Sequence, residues 1–241
     1  MNLISDSDIH QGDKLDVRGI AAVVFDLDDT LYRESLYLAA VLEQSQIDLP
    51  LDLETAAWTV KTLDLSQQDD VLGFILGEQD LNTRKNHDAL FAHYCNLNQS
   101  LELPEESAHV LASLRSWGIA VGVLTNGNLA AQSSKVKALG LEERVDSIVY
   151  ARALGKQSEK PDTSAFRRSL DSLGVTPTRA LFVGDNLRTD IAGGSAVGMM
   201  TALLTQGRPF SAPTPEDFRI DKLSALVEDF ARYGISWDGE T

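Results

Sequence analysis

From residue 105 to 233 the chain alternates short apolar runs, rich in branched residues, with segments of helix length. The pattern predicts helices over 105–117, 130–139, 163–173, 188–197 and 223–233. It predicts strands over 119–124, 145–150, 180–183 and 200–204. Gly118, Gly140 and Gly174 each stand where a helix must stop, and glycine accepts the left-handed conformation that ends one. Strands separated by helices cannot pair as tight hairpins. They need crossovers, which implies an α/β fold of the Rossmann-like kind, a parallel sheet with helices on both faces. A further strand is expected over 20–25. In such sheets ligands bind at the carboxyl ends of the strands, near the switch in strand order.

The alternation is interrupted between the first strand and residue 105. From Glu34 to about Gln99 apolar residues recur at helical spacing: Leu36, Leu38, Ala39, Val41 and Leu42; then Trp58, Val60 and Leu63; then Val71, Leu72, Phe74, Ile75 and Leu76; then Leu90, Phe91 and Tyr94. This reads as an inserted helical bundle whose aromatics belong to its core. The expected organisation is an α/β core over 19–33 and 105–241, a helical cap domain over 34–104, and a loose N-terminal arm over 1–18. Residues 207–215, with one glycine and three prolines, read as a loop.

The first strand ends on Asp26-Leu27-Asp28-Asp29-Thr30-Leu31. Residues two apart in an extended segment point the same way, so Asp26 and Asp28 start on one face. Asp29 and Thr30 read more simply as caps of the next helix. The other strand ends carry Thr125-Asn126-Gly127, then Lys160-Pro161-Asp162, then Gly184-Asp185-Asn186 with Asp190 close behind. Taken singly, each group is an ordinary turn or a solvated charge. Their coincidence at one sheet edge is what the ordinary readings leave unexplained. Carboxylates from two strand ends suit a hard cation such as Mg²⁺. A carboxylate beside that ion can attack phosphorus, and an acid two residues on can serve the leaving oxygen. A lysine and a threonine hydroxyl can hold the other phosphate oxygens.

In this order the four motifs resemble those of the haloacid dehalogenase (HAD-like) superfamily of hydrolases, over nearly the whole stretch 21–230, with an insertion similar to a cap of the C1 type. The resemblance implies that Asp26 is the nucleophile and Asp28 the general acid/base. It implies phosphate contacts from Thr125, Asn126 and Lys160. It places Mg²⁺ on Asp26, Asp185 and the backbone carbonyl of Asp28, with Asp190 supporting the water around the ion. True dehalogenases of the family lack an acid at the position of Asp28, so its presence points to phosphoryl transfer. The third motif departs from the family pattern. The run from Gly155 to Lys160 is longer than usual and leaves Lys156 as a rival, and Pro161, Asp162 and Phe166 favour Lys160.

The net charge of −15 argues against a nucleic-acid partner, and no apolar run is long enough to span a membrane. Cys95 is the single cysteine and excludes an intramolecular disulfide; its plain reading is a half-buried thiol on a helix. With no secretory pattern at the start, a cytoplasmic location is expected. The expected activity is Mg²⁺-dependent hydrolysis of a small phosphorylated metabolite, a sugar phosphate or nucleotide monophosphate, through an aspartyl-phosphate. A phosphomutase and a non-catalytic binding protein on the same scaffold are the alternatives. Tyr32, Arg33, Glu34 and Tyr37 follow the first motif and are candidates for the wall of the cleft.

Overall fold

The computed structural model describes residues 17–62, 70–208 and 216–232. Strands β1 (Ala22–Phe25), β2 (Ala120–Thr125), β3 (Ser147–Tyr150), β4 (Ala180–Gly184), β5 (Met200–Leu204) and β6 (Phe218–Ile220) form one parallel sheet in the order β3-β2-β1-β4-β5-β6. The order reverses at β1, which lies between β2 and β4, with Phe25 level with Val123 and Val183. The carboxyl ends of these three strands therefore open onto one crevice.

Alternation along β1 sorts its side chains to two faces. Ala22 and Val24 pack with Phe166, Leu170 and Phe182 on one side. Val23 and Phe25 join Leu111, Leu114 and Phe230 on the other. Helices α5 (Glu105–Ser116), α6 (Leu129–Ala138), α7 (Thr163–Leu173), α8 (Ala192–Val197) and α9 (Ser224–Arg232) provide the crossovers and covering layers. Gly118, Gly140 and Gly174 all have positive φ, as their stop positions require. The approach of α8 to α7 depends on Gly193, where a Cβ would stand 2.2 Å from the Phe166 ring.

Two differences from the sequence reading have physical causes. The short strand β6 was not foreseen, because three residues carry no measurable alternation. The helix expected over 188–197 opens instead as a π-helical turn, Leu187–Ile191, before α8 begins. Asn186 caps that turn through Arg188 N, and its own N–H bonds the Asp190 carboxylate at 3.1 Å. The wide turn thus folds Asp190 back toward the sheet edge.

Between β1 and α5 lie α1 (Glu34–Ser45), α2 (Leu53–Thr62), α3 (Val71–Gly77) and α4 (Arg84–Cys95), with no strand among the described residues. Leu38, Val41, Leu42, Leu76 and Leu90 form their interior, continuous with the core through Leu31 and Tyr32. The expectation that the aromatics here are core is corrected for Trp58, Phe74 and Phe91, which are 62%, 39% and 38% exposed. Leu36, also read as core, is exposed, and Leu63 lies outside the described residues. So do residues 1–16 of the expected arm and 209–215 of the expected loop; Val17 is buried. No described helix is long and apolar enough to cross a membrane.

Candidate active site

Asp26 follows the last residue of β1, and its N–H bonds Val183 O on β4 at 2.9 Å, so the sheet ladder fixes its position. The chain then turns sharply at Asp29, which has a φ of +55°, a conformation that Asp tolerates better than most residues. The Asp29 carboxylate accepts the Glu34 N–H at 3.2 Å and caps α1, in keeping with the plain reading of that acid.

A cavity of about 230 Å³ opens at the carboxyl ends of β1, β2 and β4, and Asp26, Asp28, Thr125, Asn126, Lys160, Asp185 and Asp190 all line it. All seven residues proposed from the sequence converge there. The Lys160 ammonium, 3% exposed, is bonded to Asp26 Oδ1 and lies 2.7 Å from Asp190 Oδ1. Lys156, the rival, is exposed on a short 3-10 turn and does not line the cavity. Asn126 contributes differently from expectation. Its side chain bonds the main chain of Lys160 at both ends, Oδ1 accepting Lys160 N–H at 2.7 Å and Nδ2 donating to Lys160 O at 3.0 Å. It therefore fixes the loop that carries the lysine.

Carboxylate oxygens of Asp26, Asp185 and Asp190 come within 4.8 Å of one another. Burial pushes the Asp26 carboxyl well above the ordinary value; Lys160 opposes this and the neighbouring Asp190 and Asp185 add to it. Asp185 is pushed up to about 6, by burial first and Asp190 next, although Arg208 bonds its Oδ2 at 3.0 Å. Burial alone would lower the Lys160 pKa, but the carboxylates of Asp190 and Asp26 outweigh it and hold the ammonium charged. Three acids facing Lys160 and Arg208 are still one cation short, and the donors are all oxygen. That combination fits a hard divalent cation such as Mg²⁺.

The Asp28 carboxylate is not part of that cluster. Tyr32 Oη donates to its Oδ1 at 2.6 Å, Lys135 Nζ to the same oxygen at 2.9 Å, and Gln132 Nε2 to Oδ2 at 2.8 Å. Burial would raise its pKa, but Lys135, Tyr32 and Gln132 together hold it below the ordinary carboxylate value. Lys135 is 1% exposed, bonds Glu34 Oε1 at 2.6 Å as well, and stands over the Tyr37 and Tyr94 rings at 5.6 and 5.1 Å. Tyr94 Oη donates to the same Glu34 oxygen at 2.5 Å. Gln132 also donates to Thr125 Oγ1. Sequence reasoning missed Gln132 and Lys135. The available signal was a lysine and a glutamine three residues apart on a helix that starts at a strand end, and hence on one face.

Of the cleft-wall candidates, Glu34 lines the cavity and Tyr32 meets it through Asp28. Arg33 lines a separate cavity with Pro104 and Lys222. Tyr37 is buried, its hydroxyl bonding Tyr94 O and Ser134 Oγ at 2.7 Å each. Cys95 is half-buried at the end of α4, and His93 beside it pairs with Asp48 at 2.8 Å.

A family model described as haloacid dehalogenase-like hydrolase matches residues 20–198. A glyceraldehyde 3-phosphate phosphatase of Methanopyrus kandleri is 28% identical over 235 residues, which cover 87% of this chain and 96% of that protein. A ribulose-1,5-bisphosphate 5-phosphatase of Halopiger xanaduensis is 28% identical over 238 residues, covering 91% and 96%. Among solved structures, a HAD-hydrolase of Bacillus subtilis bound to magnesium superposes with a TM-score of 0.68 at 18% identity, over 87% of this chain and 97% of that one.

Proposed function

The chain belongs to the haloacid dehalogenase-like hydrolases, and on that premise we propose that it is a Mg²⁺-dependent phosphatase acting on a small sugar phosphate through an aspartyl-phosphate on Asp26. The carrying observation is the shared cavity, in which the Asp26 carboxylate faces Lys160 and Thr125 and lies beside Asp185 and Asp190. The two relatives at 28% identity, both named as phosphatases of phosphorylated sugars, support the substrate class. The presence of Asp28 separates the site from the dehalogenases of the family.

In this reading a carboxylate oxygen of Asp26 attacks phosphorus in line as the bond from phosphorus to the leaving oxygen breaks. Asp28, ionised in the free site, takes the proton of a bound phosphomonoester monoanion and delivers it to that oxygen, and the alcohol departs. Asp28 then takes a proton from water, the water oxygen attacks phosphorus, and Asp26 is released together with inorganic phosphate. Lys160 and the Thr125 hydroxyl hold the oxygens that do not react. The Asp26 and Asp185 carboxylates, with the Asp28 carbonyl and Asp190 behind them, would hold Mg²⁺, which offsets the repulsion between anionic nucleophile and anionic substrate. Residues 19–33 and 105–241 then serve as the catalytic core, with 34–104 as the cap that excludes water.

The test is hydrolysis of para-nitrophenyl phosphate with and without Mg²⁺. Activity is expected only with the ion, and Asp26→Asn is expected to lose at least about a thousandfold. A fully active Asp26→Asn variant removes Asp26 as nucleophile.

A further inference from the structure

A second cavity, of about 250 Å³, lies between α1, α3 and α4, the size of a metabolite fragment and smaller than a drug-sized site. Glu34 lines both this cavity and the one at the strand ends. Glu34 is thus a wall common to the two spaces, and beside it the alcohol portion of a phosphomonoester with its phosphorus at Asp26 would leave the first for the second. The far walls are apolar, formed by Leu38, Leu72, Phe91 and Tyr94. Their charged companions are Asp70 and His87, paired at 3.0 Å.

No Lys or Arg among the described residues lines this cavity. The nearby ammonium of Lys135 is 1% exposed and fully engaged between Asp28 and Glu34. Asp28 and Glu34 outnumber that single cation by one, and Asp70 is already paired with His87. The surrounding segment 34–104 carries 12 Asp and Glu against 3 Lys and Arg, a net −9 of the chain's −15. A second phosphate or a carboxylate on the leaving group would enter an acidic, partly apolar space with no free cation to receive it.

We propose that this cavity takes the alcohol portion of the substrate and selects phosphomonoesters that bear no second anionic group. The inference rests on the phosphatase reading above. The decisive comparison is glyceraldehyde 3-phosphate against 3-phosphoglycerate, which share a three-carbon skeleton and differ by an aldehyde in place of a carboxylate. With Mg²⁺, kcat/KM is expected to be at least about tenfold higher for the aldehyde. Calorimetric binding of the pair to Asp26→Asn should rank them in the same order. Phe91→Lys places a cation on an exposed wall position, and Asp70→Asn removes an acid while keeping an N-cap residue for α3. Each is expected to narrow the ratio at least about threefold. Equal or reversed preference, or a ratio that neither substitution moves, overturns the inference while para-nitrophenyl phosphate is still cleaved. Failure to cleave para-nitrophenyl phosphate overturns the phosphatase reading itself, and the inference with it.

Discussion

Replacing Lys135 with Met removes the one cation that Asp28 and Glu34 share while keeping most of the side-chain volume. Breaking a fully buried ion pair by deleting one partner costs about 3–5 kcal/mol, because the other charge is left uncompensated. Here two carboxylates are stranded, but their side chains are 24% and 20% exposed, and each keeps a tyrosine hydroxyl. Water and those hydroxyls offset part of the loss, so a cost of about 2–4 kcal/mol is expected. Urea unfolding monitored by circular dichroism measures it as a lower midpoint at unchanged slope. Adding Glu34→Gln removes one stranded charge, and the double variant should be less destabilised than the two single effects combined by at least about 1 kcal/mol. The sign with pH follows from Asp28, whose pKa is held down in the folded protein. Its stabilisation is present above the ordinary carboxylate pKa and is lost as pH falls through the folded value, so the deficit of Lys135→Met should narrow in acid. A loss below about 1 kcal/mol, or strict additivity with Glu34→Gln, refutes the network as a stabilising unit.

Lys160→Ala leaves Asp190, 1% exposed, without its cation, and should cost about 3–5 kcal/mol and nearly all turnover. Lys156→Ala should stay within about 0.5 kcal/mol and keep full activity, and the reverse outcome would return the role to Lys156. Gly184→Ala sets a Cβ 2.5 Å from Asp190 Cγ, an overlap worth about 1–3 kcal/mol, and should weaken Mg²⁺ binding in calorimetry by displacing that carboxylate. Asp185, with a pKa of about 6, retains a proton in the folded metal-free protein over a range where the unfolded chain has lost it. Stability of that form therefore falls as pH rises from about 4 to about 6. Mg²⁺ needs the ionised carboxylate, so it should raise the melting temperature more at pH 7.5 than at pH 5, and equal shifts would exclude Asp185 as a ligand.

The sheet was legible because β1, β2, β4 and β5 are central and largely buried on both faces, which forces continuous apolar runs, and because glycine marked three helix ends by a requirement no other residue meets as cheaply. Legibility failed at β6, too short to show a period, and on the surface of α2 to α4. There Trp58 and Phe74 obey helical spacing yet are exposed, and Phe91, also partly exposed, lines a cavity instead of filling the core. Spacing says which residues share a face, and only packing says whether the face is covered.

The same distinction separates the site residues that could be read from those that could not. Asp26, Thr125 and Asp185 stand at or next to strand ends, where parallel topology alone brings distant segments together, so their meeting was implied once the strands were recognised. Gln132 and Lys135 sit one and two turns into α6, and their reach to Asp28 depends on how that helix tilts over the sheet and on the seating of α4 against it. No local pattern encodes that tilt. A lysine in the middle of a helix is ordinarily solvated, and its burial becomes tolerable only because Asp28 and Glu34 arrive from another part of the chain. The nucleophile's surroundings are therefore set by strand order, while those of the neighbouring acid are set by helix packing, the layer that a single sequence conveys least.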